Sequence, residues 1–320
     1  MQRAAADHVD GVLLLDKPVG VSSNLALQKA RRLLQARKAG HTGTLDPLAC
    51  GLLPLTFGEA TKFSADLLEA DKEYEAQIEL GVATSTGDAE GEVIARRAVH
   101  VTREQFEAVL ARFVGKGHQV PPMHSALKRG GRPLYELARV GLQIERTARP
   151  VELARLTLVS WDERRPRFEL ACSKGTYVRV LAQEIGEALG CGAYLVGLRR
   201  TRVGNLTLSG AITLAQLQHQ SLDERRSQLL PVDALLASLP RISLDADAAA
   251  RLGCGQRVWQ RPAGIQEAAR LRVYDAQDRL LGVASCHDGW LTATRLVANI
   301  PAVRVALQRT KREKEIKEAT

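Results

Sequence analysis

The segment HTGTLDPLAC, residues 41–50, surrounds one short carboxylate, Asp46, with two threonines, a glycine and a histidine. Such a carboxylate can serve as a nucleophile, as a general base or as the cap of a helix. Gly40, Gly43, Pro47 and Gly51 punctuate the run, so it reads as a turn-rich loop. Pro47 biases Asp46 toward extended backbone and brings no N–H of its own. The plainer alternative is a capped helix, with Asp at the N-cap and Pro at the first helical position of DPLACGLL. A second candidate lies in SKGTYVRVLAQEIGEALG, where Thr176 caps a predicted helix that ends at Gly190. Arg179 falls in the first turn of that helix, where the dipole disfavours a cation. An arginine there suits an anion or carboxylate site, with the Tyr177 ring beside it. The alternative is a tyrosine packed over a sheet and an arginine reaching solvent.

The elements that must hold these groups alternate between strand and helix. GVLLLDKPVGVSSNLALQKARRLLQARKAG reads as strand, turn and helix, with Ser22 or Ser23 as cap and Gly40 as stop. Leu27, Ala30 and Leu34 fall on one face of that helix. KEYEAQIELG alternates, placing Tyr74, Ala76, Ile78 and Leu80 inward, and Asp88 sits at the centre of the loop that follows. TREQFEAVLARFVG is a helix capped by Thr102, with Phe106, Val109, Leu110 and Phe113 as its buried stripe. Residues 121–145 form a loop rich in Pro and Gly that carries Lys128, Arg129 and Arg132 and passes through the helical LYELARVG. AYLVGLRRTRVGNLTL is a strand ending in the cluster Arg199, Arg200 and Arg202, and LLPVDALLASLP (229–240) reads as a connecting helix. From residue 241, short strands joined by turns at DAQD and CHDG predict a small β domain. The division is therefore 1–240, 241–308 and a charged tail at 309–320. The fold class is α+β, with a mixed, largely antiparallel sheet in the larger domain.

Composition bounds the function. The chain has 320 residues, 45% hydrophobic, and a formal net charge of +9, which suits a polyanionic partner. Five scattered cysteines without a CxxC pair argue against a disulfide framework or a zinc site. Seven histidines are equally dispersed, so neither a metal nor any other cofactor is expected. No GxGxxG follows a strand and no phosphate-binding GxxxxGK[ST] exists, which argues against dinucleotide and P-loop chemistry. The N-terminus lacks an apolar signal core and no apolar run reaches membrane length, so a cytoplasmic, non-membrane protein is expected.

Taken jointly, GVLLLDKPVGVSSN, GHTGTLDPLACGLLPLTFGEATKF, KEYEAQIELG, QVPPMHSALKRGGRPLYELARVG, SKGTYVRVLAQEIGEALG and AYLVGLRRTRVG resemble the TruB-type tRNA pseudouridine synthases. They occur in that family's order from residue 11 to about 204. The segment after 241, mainly LLGVASCHDGWLTATRLV, resembles the family's small PUA-like RNA-binding domain. Thr44 and Cys50 depart from the usual Ala and Thr or Ser, and neither touches the carboxylate.

The resemblance implies an isomerisation without cofactor: the bond from ribose C1′ to uracil N1 breaks, the base turns, and C5 takes its place. Asp46 would attack C1′ or take the 2′ proton. Tyr74 would stack on the flipped base, Tyr177 would lie near the C5 proton, Arg179 would pair with Asp46, and Leu198 would wall the uracil pocket. His41 would contact the target loop; a turn histidine with a local hydrogen bond is its alternative, and a core tyrosine is that of Tyr74. The implied substrate is the uridine at tRNA position 55, in the TΨC stem-loop, read by shape and splayed bases. Lys17, Lys62, Lys128, Arg129, Arg199, Arg200 and Arg202 would supply backbone contacts, with 121–145 clamping the RNA arm. A stand-alone monomer without an obligate protein partner is expected. The rival readings are an RNA-guided synthase subunit and a non-catalytic RNA-binding or folding protein.

Overall fold

The computed structural model describes residues 9–125, 127–139, 141–260 and 269–298. The tail at 309–320 and residues 299–308 of the small domain lie outside them. Ten strands make the main sheet: β1 (Gly11–Lys17), β2 (Ala39–His41), β3 (Ala49–Phe57), β4 (Lys72–Leu80), β5 (Gly115–Gln119), β6 (Arg149–Ser160), β7 (Arg167–Cys172), β8 (Ala193–Val203), β9 (Leu206–Thr207) and β10 (Ile212–Thr213). Their order is β10-β1-β3-β8-β4-β7-β6-β5, with β2 beside β3 and β9 beside β8. Only β10–β1 and β3–β8 pair in parallel, so the sheet is mixed and largely antiparallel, as the sequence predicts.

The apolar run in β1 is buried on both faces because successive side chains point to opposite sides. Leu13 and Leu15 pack with Ala26, Leu27, Ala30 and Leu34 of helix α1 (Ser23–Leu33) and its C-cap, while Val12 and Leu14 enter a different core. Each fully buried leucine of this kind contributes roughly 1.5–3 kcal/mol. Helix α2 (Arg103–Phe113) is closed by a capping box from Thr102 and lays Phe106, Val109 and Leu110 on the sheet beside Phe168. Helix α3 (Val178–Ala188) buries Leu181, Ala182 and Ile185 in the same cluster.

A second sheet of five strands, β11 (Arg241–Ser243), β12 (Val258–Trp259), β13 (Arg270–Tyr274), β14 (Leu280–His287) and β15 (Trp290–Leu296), has the order β11-β13-β14-β15-β12. It includes an eight-residue helix, α4 (Ala246–Gly253), that the sequence reading did not anticipate. One apolar cluster runs from Val12, Leu52 and Phe63 under the first sheet, through Leu235 and Leu236, to Leu271 and Val283 of the second.

Two local expectations are corrected, the Gly40 stop and the 229–240 helix, while the loop reading around Asp46 holds over its capped-helix alternative. Helix α1 ends at Leu34, where Gln35 adopts φ +56° and the Arg225 guanidinium takes the Leu33 carbonyl, so Gly40 lies in β2 instead of stopping the helix. DPLACGLL is no capped helix, because β3 starts at Ala49 and is held by β1 and β8. Residues 229–240 hold only a five-residue 3-10 turn, Val232–Leu236, in place of the connecting helix.

Candidate active site

The loop 42–48 joins β2 to β3 and is fixed at nearly every residue. Ser22 caps α1 by accepting from the Leu25 N–H at 3.2 Å, which frees Ser23 to work elsewhere. The buried Ser23 hydroxyl accepts from the Leu45 N–H at 2.8 Å and donates to the Leu45 carbonyl at 2.9 Å. Gly20 N–H donates to the Pro47 carbonyl (2.8 Å), and Ala49 N–H to that of Asp46 (3.1 Å). Arg200, 1% exposed, donates to the Gly43 carbonyl at 3.0 Å and the Leu52 carbonyl at 2.8 Å. Gly51, at φ +96°, lets β3 pass Arg200, since a Cβ there would collide with its backbone. A loop held this way aims one short side chain with few torsions left to freeze.

Asp46 meets a carrier of opposite charge. The Arg179 Nε lies 2.9 Å from Asp46 Oδ2 and 3.4 Å from Asp88 Oδ2, and the arginine is 5% exposed. Its remaining N–H groups donate to the carbonyls of Thr86 (3.3 Å) and His124 (2.7 Å). Two carboxylates and two carbonyls therefore account for a cation at the positive end of a helix dipole. Burial pushes the Asp46 carboxyl above its ordinary value; Arg179 opposes that shift and Asp88 adds to it. Asp88 was only a loop centre in the sequence; here it is buried and accepts from Thr86 Oγ1 and the Glu90 N–H.

The cap of α3 differs from the sequence expectation. Tyr177 occupies the N-cap position in extended conformation, and its N–H donates 2.7 Å to Oε1 of the buried Gln119 on β5. Thr176 donates to the Ser173 carbonyl and caps nothing. Gln119 also returns a bond to the Tyr177 carbonyl at 3.2 Å, clamping the tyrosine from both sides.

Asp46 stands between two cavities. One, of about 290 Å³, is lined by Tyr74, Tyr177, Leu198, Arg179, Lys72 and Arg200 among others. The parallel pairing of β3 with β8 sets Leu198 opposite Ala49, three residues past Asp46, and β4 presents Tyr74 from the other side of β8. Burial raises the phenol pKa of both Tyr74 and Tyr177. The second cavity, of about 590 Å³, has His41, Asn24, Glu90 and Tyr135 in its walls. His41 is absent from the first cavity; its Nδ1 is buried without a partner, and burial lowers its pKa, with Arg200 adding to the effect. Lys72, another residue overlooked in the sequence, shares the inward phase of Tyr74 two positions later.

The expected phosphate contacts separate into groups. Lys17 is fully buried and donates to the Pro18 and Val21 carbonyls, and Arg200 is enclosed by the loop, so burial withdraws both from phosphate. Lys62 bonds Glu59 (2.7 Å) and the Leu296 carbonyl (3.0 Å), fastening the two sheets together. Arg199 is held by Asp16 at 2.8 Å. Arg202 remains exposed, with Glu73 3.4 Å away. The side chains of Lys128 and Arg129 lie outside the described residues; their backbones form a small hairpin, 128–133. The segment 121–145 reaches the site through the His124 carbonyl, Ser125 and Tyr135.

Among the described residues, no group of three or more His, Cys, Asp or Glu could hold a metal ion, the five cysteines are free, and no helix is long and apolar enough to cross a membrane.

Residues 31–178 match the model of the TruB family pseudouridylate synthase N-terminal domain, 179–237 that of the tRNA pseudouridylate synthase B C-terminal domain, and 240–297 that of the pseudouridine synthase II TruB C-terminal region. A tRNA pseudouridine synthase B of Burkholderia mallei is 59% identical over 300 residues, covering 92% of this chain and 96% of the relative. Its counterpart in Cupriavidus metallidurans is 56% identical, covering 90% and 94%. Among solved structures, a chain of a Cbf5-Nop10-Gar1 complex aligns with a TM-score of 0.69 at 27% identity, covering 88% of this chain and 79% of that one. A chain of an H/ACA RNP bound to a substrate RNA containing 2′-deoxyuridine shares the fold, with a TM-score of 0.72 at 23% identity over 92% and 89% of the two chains.

Proposed function

The chain belongs to the TruB family and is a tRNA pseudouridine synthase, and we propose that it acts on the TΨC-loop uridine, tRNA position 55, through Asp46. The observation that carries this reading is the Asp46 carboxylate, held on a fixed loop by a buried arginine, at the edge of a cavity walled by Tyr74, Tyr177 and Leu198. The uridine swings out of the loop, and its base enters between Tyr74 and Leu198. Stacking on the ring returns roughly 1–3 kcal/mol, comparable to the cost of unstacking. Asp46 then attacks C1′, or removes the proton on C2′, as the C1′–N1 bond breaks and its electron pair leaves with the base. The base turns and C5 bonds to C1′ as the Asp46–C1′ ester breaks, or as C2′ recovers its proton from Asp46; the C5 proton then leaves toward the Tyr177 side of the cavity while N1 takes one up. Arg179 favours the ionised form of Asp46, opposing the upward push of burial and Asp88.

His41, in the second cavity, faces the rest of the RNA loop. The 121–145 segment closes over the RNA arm, and Arg202 contacts its backbone.

The test uses purified protein alone, an unmodified tRNA transcript and a carbodiimide-based readout. Pseudouridine at position 55, formed without added protein or nucleotide and abolished by Asp46→Asn, is the expected result. Product at another position, or only in the presence of a guide RNA, would overturn the reading.

A further inference from the structure

The cavity that takes the uracil in this reading holds a cation that the chemistry above does not use. Lys72 opens β4, on the same face as Tyr74, and is 8% exposed. Its Nζ donates to the carbonyls of Leu68 (2.7 Å) and Ala70, both uncharged, and no ion pair to it is found among the described residues. A buried ammonium with neutral acceptors keeps its charge unbalanced, an arrangement that a folded core ordinarily avoids. Arg200, in the same wall, is likewise bonded to carbonyls.

The reaction creates the missing counter-charge. When C1′–N1 breaks, the electron pair stays on the base and spreads over N1, O2 and O4. Whether Asp46 attacks C1′ or removes the 2′ proton, the departing uracil is an anion until C5 returns that pair to C1′. C5 then gives up its proton while N1 takes one up, so the rearranged base stays neutral. We propose that the Lys72 ammonium stabilises this uracil anion, an inference that rests on the uridine-isomerising reading of the cavity. A charge already fixed in a water-poor wall acts most strongly where negative charge develops, so it favours the transition state over bound substrate. Burial, aided by the Arg200 charge, lowers the Lys72 pKa to about 8. Arg200 on β8, Cys172 on β7 and Asp71 ahead of β4 act on its charge, and Glu73, Glu152 and Arg202 line a neighbouring cavity with it.

The experiment measures single-turnover rates at saturating full-length enzyme on TΨC stem-loops carrying uridine or 5-fluorouridine. Fluorine makes the base a better-stabilised anion, and loss of the fluorouridine nucleoside reports bond cleavage. Lys72→Met is expected to slow the uridine reaction by on the order of 10²-fold, and the fluorouridine reaction much less. Lys72→Arg should restore the rate to within a few-fold. The wild-type rate should fall above pH of about 8 as Lys72 loses its proton, and Lys72→Arg should remove that fall. Equal deficits on both RNAs, or a loss confined to RNA affinity, overturns the proposal. Should Lys72→Met not fold, the pH profiles of wild type and Lys72→Arg decide alone, and coincident profiles overturn it. Asp46→Asn run in parallel separates the two readings, because turnover by that variant defeats the functional reading itself.

Discussion

The two sheets treat buried charge differently. In and around the first, Lys17, Lys72, Asp88, Arg179 and Arg200 are all nearly inaccessible, and Lys72, Arg179 and Arg200 come from separate elements to line one cavity. In the second, Asp275 is the one charged residue so buried among the described residues. It accepts from the N–H groups of Gln277 (3.0 Å) and Arg279 (2.9 Å) and from the Arg279 side chain (2.8 Å), closing its own turn. Two aspartates, Asp46 with 42% of its side chain exposed and Asp275 with 5%, thus shift in opposite directions. Burial raises Asp46, and Arg179 does not fully offset it; burial also pushes Asp275 upward, yet the bonds around its turn win and its pKa ends low. A buried charge satisfied by its neighbours in sequence is a structural device. One shared among distant elements and left perturbed marks a site.

The sharpest way to break this contrast is Asp46→Asn. Single-turnover conversion of a TΨC stem-loop should fall by at least about 10⁴-fold, with RNA affinity within a few-fold. Retained conversion would place the chemistry elsewhere. Arg179→Met should cost on the order of 10²–10³-fold. It should also move the acid limb of the rate profile upward, because Asp46 loses the cation that lowers its pKa, and part of the rate should return with rising pH. An acid limb that stays put would show that the arginine acts on geometry alone.

Asp275→Asn should leave the chemical step unchanged and appear in chemical denaturation. Its loss at neutral pH should be about 1–3 kcal/mol. The folded-state pKa of Asp275 is depressed, so its contribution is present above the unfolded carboxylate pKa and disappears as pH falls through the folded value. Asp46 carries the reverse sign: with its folded pKa raised, wild type loses stability as pH rises through that value, and Asp46→Asn should escape the loss. Matching pH trends for the two variants would erase the distinction between the sheets. Leu271→Ala should likewise spare the chemistry. It should cost about 2–5 kcal/mol of stability, while the folded fraction turns over within twofold of wild type in single-turnover assays.

Much of the site was legible where local rules governed it. The punctuation around Asp46 marked a loop, the alternation of residues 72–80 marked a strand, and the dipole-opposed position of Arg179 marked a carboxylate partner. Partnerships set by long-range pairing were not legible. Asp88 joins Arg179 across 91 residues of chain, and nothing near either residue announces the other. DPLACGLL carries good helix-start chemistry and still becomes a strand, since β1 and β8 hold both its edges. Lys17 and Arg200 read as surface cations because a basic composition is averaged over a whole chain. Their burial follows from where β1, β3 and β8 happen to meet.

The apolar cluster that runs beneath both sheets has a consequence for how the molecule melts. Val12, Leu52 and Phe63 belong to one continuous apolar cluster with Leu271 and Val283, so loss of packing in one sheet exposes apolar surface of the other. Heating should therefore give one cooperative transition for both sheets, and a protease should find no early cut near residue 240. Among the described residues, none that lines the cavity beside Asp46 comes from beyond residue 240. A weakened second sheet should nonetheless surface as a heat-sensitive modification defect, at a cavity to which it contributes no described residue.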